Sequence, residues 1–268
     1  NYELRKKIAN QSGYVSGYEL SEMNIDINYS PVVDINYNKK NNLLKDRTFG
    51  NDINNIILLA NEYINGSLEG GILPVLKHFP GHGRVVADSH IEDCISDIDI
   101  NELLKTDILP FKRLYLSHGK FNLPIMTNHI IYSKVDKFVV TYSKEWLKTQ
   151  SNLIFKKPPI FISDDVEMYS AKIMDDKELS CEERVLLALN AGCRMIIATT
   201  MQNNKIIEEK SSYKYFSENY LTDNIIEYYE KNHDKMSEIE LPKIESKNVK
   251  LYEEAIENME TAGMITDE

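Results

Sequence analysis

The chain has 268 residues, of which 42% are hydrophobic and 27% charged, and it carries a formal charge of −11. This is enough for one large domain or two small ones and excludes wholesale disorder. The acidic balance argues against a nucleic-acid groove, which needs a basic face, and no apolar run is long enough to span a bilayer. Cys94, Cys181 and Cys193 show no C-x-x-C spacing, so neither a disulfide framework nor a cysteine zinc site is expected, and a reducing compartment fits.

In chain order, short and nearly continuous apolar runs alternate with longer helical stretches. The runs are Ile25–Asp34, Ile72–Phe79, Leu123–His129, Pro159–Asp165 and Cys193–Thr199. Each ends in polar or charged residues, as a strand buried on both faces does. Between them, residues 51–67 place Ile53, Ile56, Ile57, Leu59 and Ala60 at helical spacing. Residues 100–117 read as one helix kinked at Pro110. Ser180 and Glu183 form a capping box ahead of a helix that Gly192 stops. Residues 213–231 and 247–262 read as surface helices, joined around Leu241–Pro242. The β-α-β-α order predicts a parallel sheet with right-handed crossovers. Asp34, His78, His129, Asp164 and Asp165 sit at the predicted strand ends. That is where a β/α barrel keeps its active site, though any soluble strand must also end in something polar.

The stretch Lys77–His90, KHFPGHGRVVADSH, packs three histidines, an aspartate, a lysine and an arginine behind a predicted strand. The Pro-Gly pair makes a tight turn. Three readings stand open. His78, His82, His90 and Asp88 could ligate a metal, although Pro80 and Gly81 break the helix that an H-x3-H site requires. Asp88 and His90, two residues apart, could form an acid/base pair in which the carboxylate fixes the imidazole tautomer. His90 could also be a satisfied loop histidine. The second chemically rich stretch is Phe161–Met168, FISDDVEM. Adjacent strand residues face opposite ways, so one of Asp164 and Asp165 can point into a site while the other braces the turn. An inward, ionised aspartate can serve as a nucleophile.

KHFPGHG followed by D-S-H resembles the family-3 glycoside hydrolases, in particular the bacterial β-N-acetylglucosaminidases that recycle cell-wall muropeptides. Other segments resemble the family in the same order. MNIDINYSPVVDIN (23–36) resembles its third barrel strand and Asp46–Gly50 its G-R-S-F-G. Pro124–Ile131 resembles M-P-A-H-V, FISDDVEM resembles F-S-D-D-L-S-M, and AGCRMI resembles A-G-C-D-M-I. The likeness covers roughly residues 10 to 200.

The resemblance implies a TIM-type (β/α) barrel and a retaining β-N-acetylhexosaminidase. Asp164 matches the catalytic nucleophile, His90 the general acid/base and Asp88 its dyad partner. Arg47, Lys77 and His78 match sugar-binding residues. His82 is given a loop-shaping role, and His129 is either a pocket residue or a buried hydrogen-bonded one. His118 and His233, on presumed surface helices, carry no hypothesis. No cofactor and no metal are implied. The implied partner is a small carbohydrate or muropeptide substrate, with no nucleic acid or membrane.

No counterpart exists of the family's D-x-E-G-G-R segment or of its first two β/α units. The expectation is therefore an incomplete barrel of strands three to seven or eight over residues 1–205, with a helical extension over 206–268 packed on it. A partner fragment or self-association is expected to cover the open edges. A catalytically impaired remnant is the alternative reading, and a metallohydrolase using His78, His82 and Asp88 a lesser one. Since no apolar segment follows NYELRKK as in a signal peptide, a cytoplasmic location is expected. Arg194 departs from the aspartate usual after A-G-C.

Overall fold

A long helix opens the described chain. The computed structural model describes residues 2–37, 44–85, 94–199, 201–202, 205–206, 222–236 and 248–261. α1 (Tyr2–Glu22) runs against α2 (Ile53–Glu69). α2 begins where Asp52 accepts a hydrogen bond from the Asn55 amide at 2.8 Å. It buries Ile56, Leu59, Ala60, Ile64 and Leu68, the helical stripe expected from the sequence.

The two helices approach so closely that their backbones touch through glycines. A methyl group on Gly66 would lie 1.9 Å from the Asn10 carbonyl oxygen, and one on Gly13 would lie 2.0 Å from the Tyr63 carbonyl oxygen. Neither neighbour is a side chain that can turn away. Gly66→Ala is accordingly expected to destabilise the fold by about 3 kcal/mol, the upper end for overpacking, because the helices must separate. Urea unfolding measures this, and an unchanged midpoint would show that the helix pair has slack.

The chain folds as two compact units, Asn1–Arg84 with Lys105–Pro124 and Leu241–Glu268, and Val85–Leu104 with Ile125–Glu240. In the first unit, β1 (Ile27–Asn28) pairs in parallel with β2 (Leu73–Pro74), and β3 (Leu76–Phe79) follows at once. The run Ile25–Asp34 is not one continuous strand. After β1 only Val32 pairs, in parallel bridges to Thr48 and Lys77. Pro31, which has no N–H to give a ladder, interrupts the run.

The predicted kink at Pro110 is also displaced. The segment forms two helices, α3 (Ile100–Lys105) and α4 (Ile108–Ser117), broken at Thr106 and Asp107. Proline cannot donate to the carbonyl four residues earlier and its ring collides with it. That carbonyl belongs to Thr106, so the break precedes the proline, which then sits harmlessly in the first turn of α4. His118, expected on a surface, is buried after α4. Its Nδ1 lies 3.0 Å from the Leu114 carbonyl oxygen and its Nε2 3.0 Å from Asn65 Oδ1. Burial pushes its pKa down.

The second unit holds the regular parallel sheet. β4 (Cys94–Ser96) pairs with β6 (Ile130–Tyr132). β5 (Ile125–Thr127) pairs with β7 (Phe161–Asp165), starting at Ile125 opposite Phe161. Short α5 (Ser151–Phe155) and α6 (Tyr169–Lys172) flank β7 in the chain. The hairpin β8 (Ile173–Met174) and β9 (Lys177–Glu178) leads into α7 (Cys181–Ala191). α7 has the expected capping box, with Ser180 accepting from the Glu183 amide and Glu183 from the Ser180 amide at 2.8 Å. Gly192 ends it with φ of 136° and the chain enters β10 (Cys193–Ile197), which joins β7 in parallel. The pair β11 (Met201–Gln202) and β12 (Lys205–Ile206) is antiparallel.

Of the two predicted C-terminal helices, residues 213–221 lie outside the described residues. α8 (Asp223–Met236) sets Ile225 into a cluster with Val166, Val185 and Leu189 of the second unit. α9 (Val249–Thr261) sets Ala255 and Met259 against Tyr14 and Val15 of α1 in the first unit.

Candidate active site

β3 carries Lys77 and His78, and the histidine is organised by Asp34, a fully buried carboxylate 44 residues earlier. Asp34 accepts from the His78 amide at 3.2 Å, from the His78 ring Nδ1 at 2.7 Å and from the His82 amide at 2.7 Å. Burial alone would raise the Asp34 pKa. The facing charge and hydrogen bond of His78, with those of His82, outweigh it and hold Asp34 below its ordinary value. An ionised Asp34 can only accept, so Nδ1 of His78 carries a proton and the ring is fixed in orientation.

The turn that follows is held just as tightly. A methyl group on Gly83 would fall 1.7 Å from the Ile35 carbonyl oxygen, so only glycine fits there. Arg84 donates through Nε to Asp107 at 2.8 Å and reaches the Tyr37 hydroxyl at 3.2 Å, with its guanidinium 4.5 Å from the Tyr37 ring centre. Asp88 and His90, the expected acid/base pair, lie outside the described residues.

Arg47 ends a short 3-10 turn, Lys45–Arg47, and lines a cavity of about 500 Å³ with Arg5, Ser12, Asp46 and Tyr63. Lys77 and His78 do not line that cavity. The backbone nonetheless ties the segments together, because Val32 bridges both Thr48, next to Arg47, and Lys77.

In the second unit, β7 delivers Asp164 and Asp165 at its exit with divided roles. Asp165 accepts from the Thr199 amide at 3.1 Å, the Thr199 hydroxyl at 2.5 Å and the Glu167 amide at 3.0 Å. It braces the turn and the end of β10. Asp164 stays half-buried, and its Oδ1 takes the Asp165 amide at 2.8 Å, which orients the carboxylate.

His129 is nearly wholly buried. Its Nε2 lies 3.0 Å from the Asp165 carbonyl oxygen and its Nδ1 3.0 Å from Thr141 Oγ1. A carbonyl only accepts, so Nε2 is the protonated nitrogen. Burial pushes the His129 pKa down, against an upward pull from the charge of Asp164. The result is a neutral imidazole packed beside the carboxylate. Beyond the strand, Glu167 pairs with Arg184 at 2.6 Å and Lys172 at 2.7 Å.

Asp34 was visible in the sequence as a polar strand end but without a partner. Asp107 gave no signal at all, because its role comes from Arg84 and Tyr37, far off in the chain. Among the described residues no group of three or more His, Cys, Asp or Glu side chains could hold a metal, and no helix is long and apolar enough to cross a membrane.

Residues 2–227 match the profile of the glycosyl hydrolase family 3 N-terminal domain. A β-hexosaminidase of Tolumonas auensis is 35% identical over 191 residues, 71% of this chain and 55% of the relative. One of Haemophilus influenzae is 34% identical over 189 residues, 70% of this chain and 52% of the relative. The chain thus spans about half the length of the curated relatives it matches. Among solved structures, native NagZ from Neisseria gonorrhoeae superposes with a TM-score of 0.66 at 22% identity, covering 97% of this chain and 66% of that one. M tuberculosis LpqI gives 0.66 at 22% identity, covering 96% and 66%. At such identity the structural likeness speaks for the fold. The profile match over most of the chain carries the assignment: this chain belongs to glycoside hydrolase family 3 and has the TIM-type α/β fold of that family's N-terminal domain.

Proposed function

We propose that the protein removes terminal non-reducing N-acetyl-β-D-glucosamine from muropeptides or related N-acetylhexosaminides, with retention of configuration. Asp164 attacks the anomeric carbon and forms a covalent glycosyl-enzyme while His90, held by Asp88, protonates the departing oxygen. His90 then takes a proton from the water that releases the sugar. Arg47, Lys77 and His78 bind the sugar hydroxyls. Histidine suits the proton-transfer role because its ordinary pKa near 6.5 lets it give and take a proton close to neutrality.

The observation that carries this reading is the division of labour at the exit of β7. The Asp165 carboxylate takes the Thr199 and Glu167 amides and so braces the turn, while Asp164 takes the Asp165 amide, which orients its half-buried carboxylate, and its charge acts on the buried His129 ring. The β-hexosaminidase relatives support the choice of an N-acetylhexosaminide. The muropeptide substrate and a cytoplasmic setting rest on the motif resemblance.

The test is hydrolysis of p-nitrophenyl N-acetyl-β-D-glucosaminide, with the first-formed sugar anomer followed by NMR. The β-anomer is expected, and the α-anomer or no turnover overturns the reading. Lys77→Ala is expected to lower kcat/KM by about 10- to 100-fold, the worth of a charged hydrogen bond to substrate. An unchanged kcat/KM would remove Lys77 from the sugar site.

A further inference from the structure

The second unit contains a cavity that the proposed chemistry does not use. It holds about 640 Å³ and lies where β7 and β10 begin, bounded by Phe161, Cys193 and α8. Asp164 sits three residues along β7 from Phe161, which at about 3.3 Å per strand residue is about 10 Å away. The volume falls in the range of small-molecule sites.

Its charge is one-sided. Lys148, Lys157 and Arg194 line it and no carboxylate does, in a chain whose formal charge is −11. Among the described residues neither Lys157 nor Arg194 has an ion-pair partner. The Lys148 ammonium donates to the Asn190 carbonyl oxygen at 3.1 Å. Its stem runs beside Gly192, where an added methyl would sit 3.7 Å from Lys148 Cε. Three cations around one cavity repel one another unless an anion joins them.

Two asparagines also line the cavity. Asn152 donates its amide to the Lys148 carbonyl oxygen at 2.7 Å, and Asn232 donates to the Tyr228 carbonyl oxygen at 2.8 Å. Each bond uses one of the amide's two N–H groups, so each side chain keeps one donor and its oxygen acceptor. An amide that both donates and accepts suits ligand hydroxyls, which do the same, and the cations call for a compact oxyanion, which arginine binds in a bidentate manner.

We propose that this cavity is a binding site for a phosphorylated sugar or polyol, with its phosphate on Arg194, Lys157 and Lys148 and its hydroxyls on Asn152 and Asn232. The site is distinct from the one that holds Asp164.

Calorimetric titration at fixed ionic strength tests it, with glucose 6-phosphate, inorganic phosphate and glucose as probes. Glucose 6-phosphate is expected to bind saturably and at least fivefold more tightly than inorganic phosphate, with no heat from glucose. The double variant Arg194→Ala with Lys157→Ala should weaken binding at least tenfold, and Arg194→Asp should abolish it, while Asp164→Asn leaves it unchanged. Circular dichroism confirms that the variants remain folded. Equal affinity for inorganic phosphate overturns the sugar phosphate. Absence of saturable binding, or binding that survives both Arg194 variants, overturns the site.

Discussion

Asp164→Asn is expected to lower turnover of an N-acetyl-β-glucosaminide by about 10³-fold or more while leaving the melting temperature nearly unchanged. An amide of the same shape can still take the Asp165 N–H through its oxygen, so the exit of β7 keeps its geometry. It cannot attack the anomeric carbon, so the covalent route closes. Asp165→Asn should do the reverse. Its carboxylate ties the Thr199 amide and hydroxyl and the Glu167 amide, so the loss falls first on stability and only through that on rate. A chemical readout separates a nucleophile from a merely structural aspartate. In Asp164→Ala, added azide can occupy the vacated space and should give the α-glycosyl azide. Substantial activity in Asp164→Asn, with Asp165→Asn inactive yet stable, would transfer the nucleophile role to the neighbouring residue.

The parts of the fold legible in the sequence are those that local physics dictates. β7 and β10 are legible as nearly continuous apolar runs, with Phe161, Ile162 and Cys193 buried where they begin, and α7 announces itself through a serine and glutamate that cap it. β4 and β6 were not foreseen. Each has three residues, and Ile130–Tyr132 follows so closely on Asn128 and His129 that the polar pair looked like the end of the element. The break before Pro110 was legible in principle, since the proline's effect acts on the carbonyl of Thr106 and not at the ring itself. The candidate site was read from motif resemblance. Periodicity could mark Asp164 and Asp165 as a strand end but could not say which one braces the turn. That distinction depends on Thr199, 34 residues later.

Asp34 shows the same limit and has the largest expected effect on stability. Asp34→Ala should destabilise the fold by about 3–5 kcal/mol, because removing one partner strands the Nδ1–H of His78 and two amides in a buried site. In a domain of this size that lowers Tm by roughly 10 °C. The carboxylate also makes the stability depend on pH in one direction. Its folded pKa lies below its unfolded value, so the contribution is complete above an unfolded pKa of about 3.9 and is lost as pH falls through the folded one. Wild-type stability should therefore decline on acidification below about pH 4, and Asp34→Asn, which cannot titrate, should be less stable at pH 7 but show a shallower acid decline. Thermal melts of both proteins from pH 7 to pH 3 measure the difference. Parallel curves would mean that His78 is held by its backbone alone. A steeper decline in wild type identifies the buried carboxylate as what keeps the imidazole of β3 oriented beside Lys77.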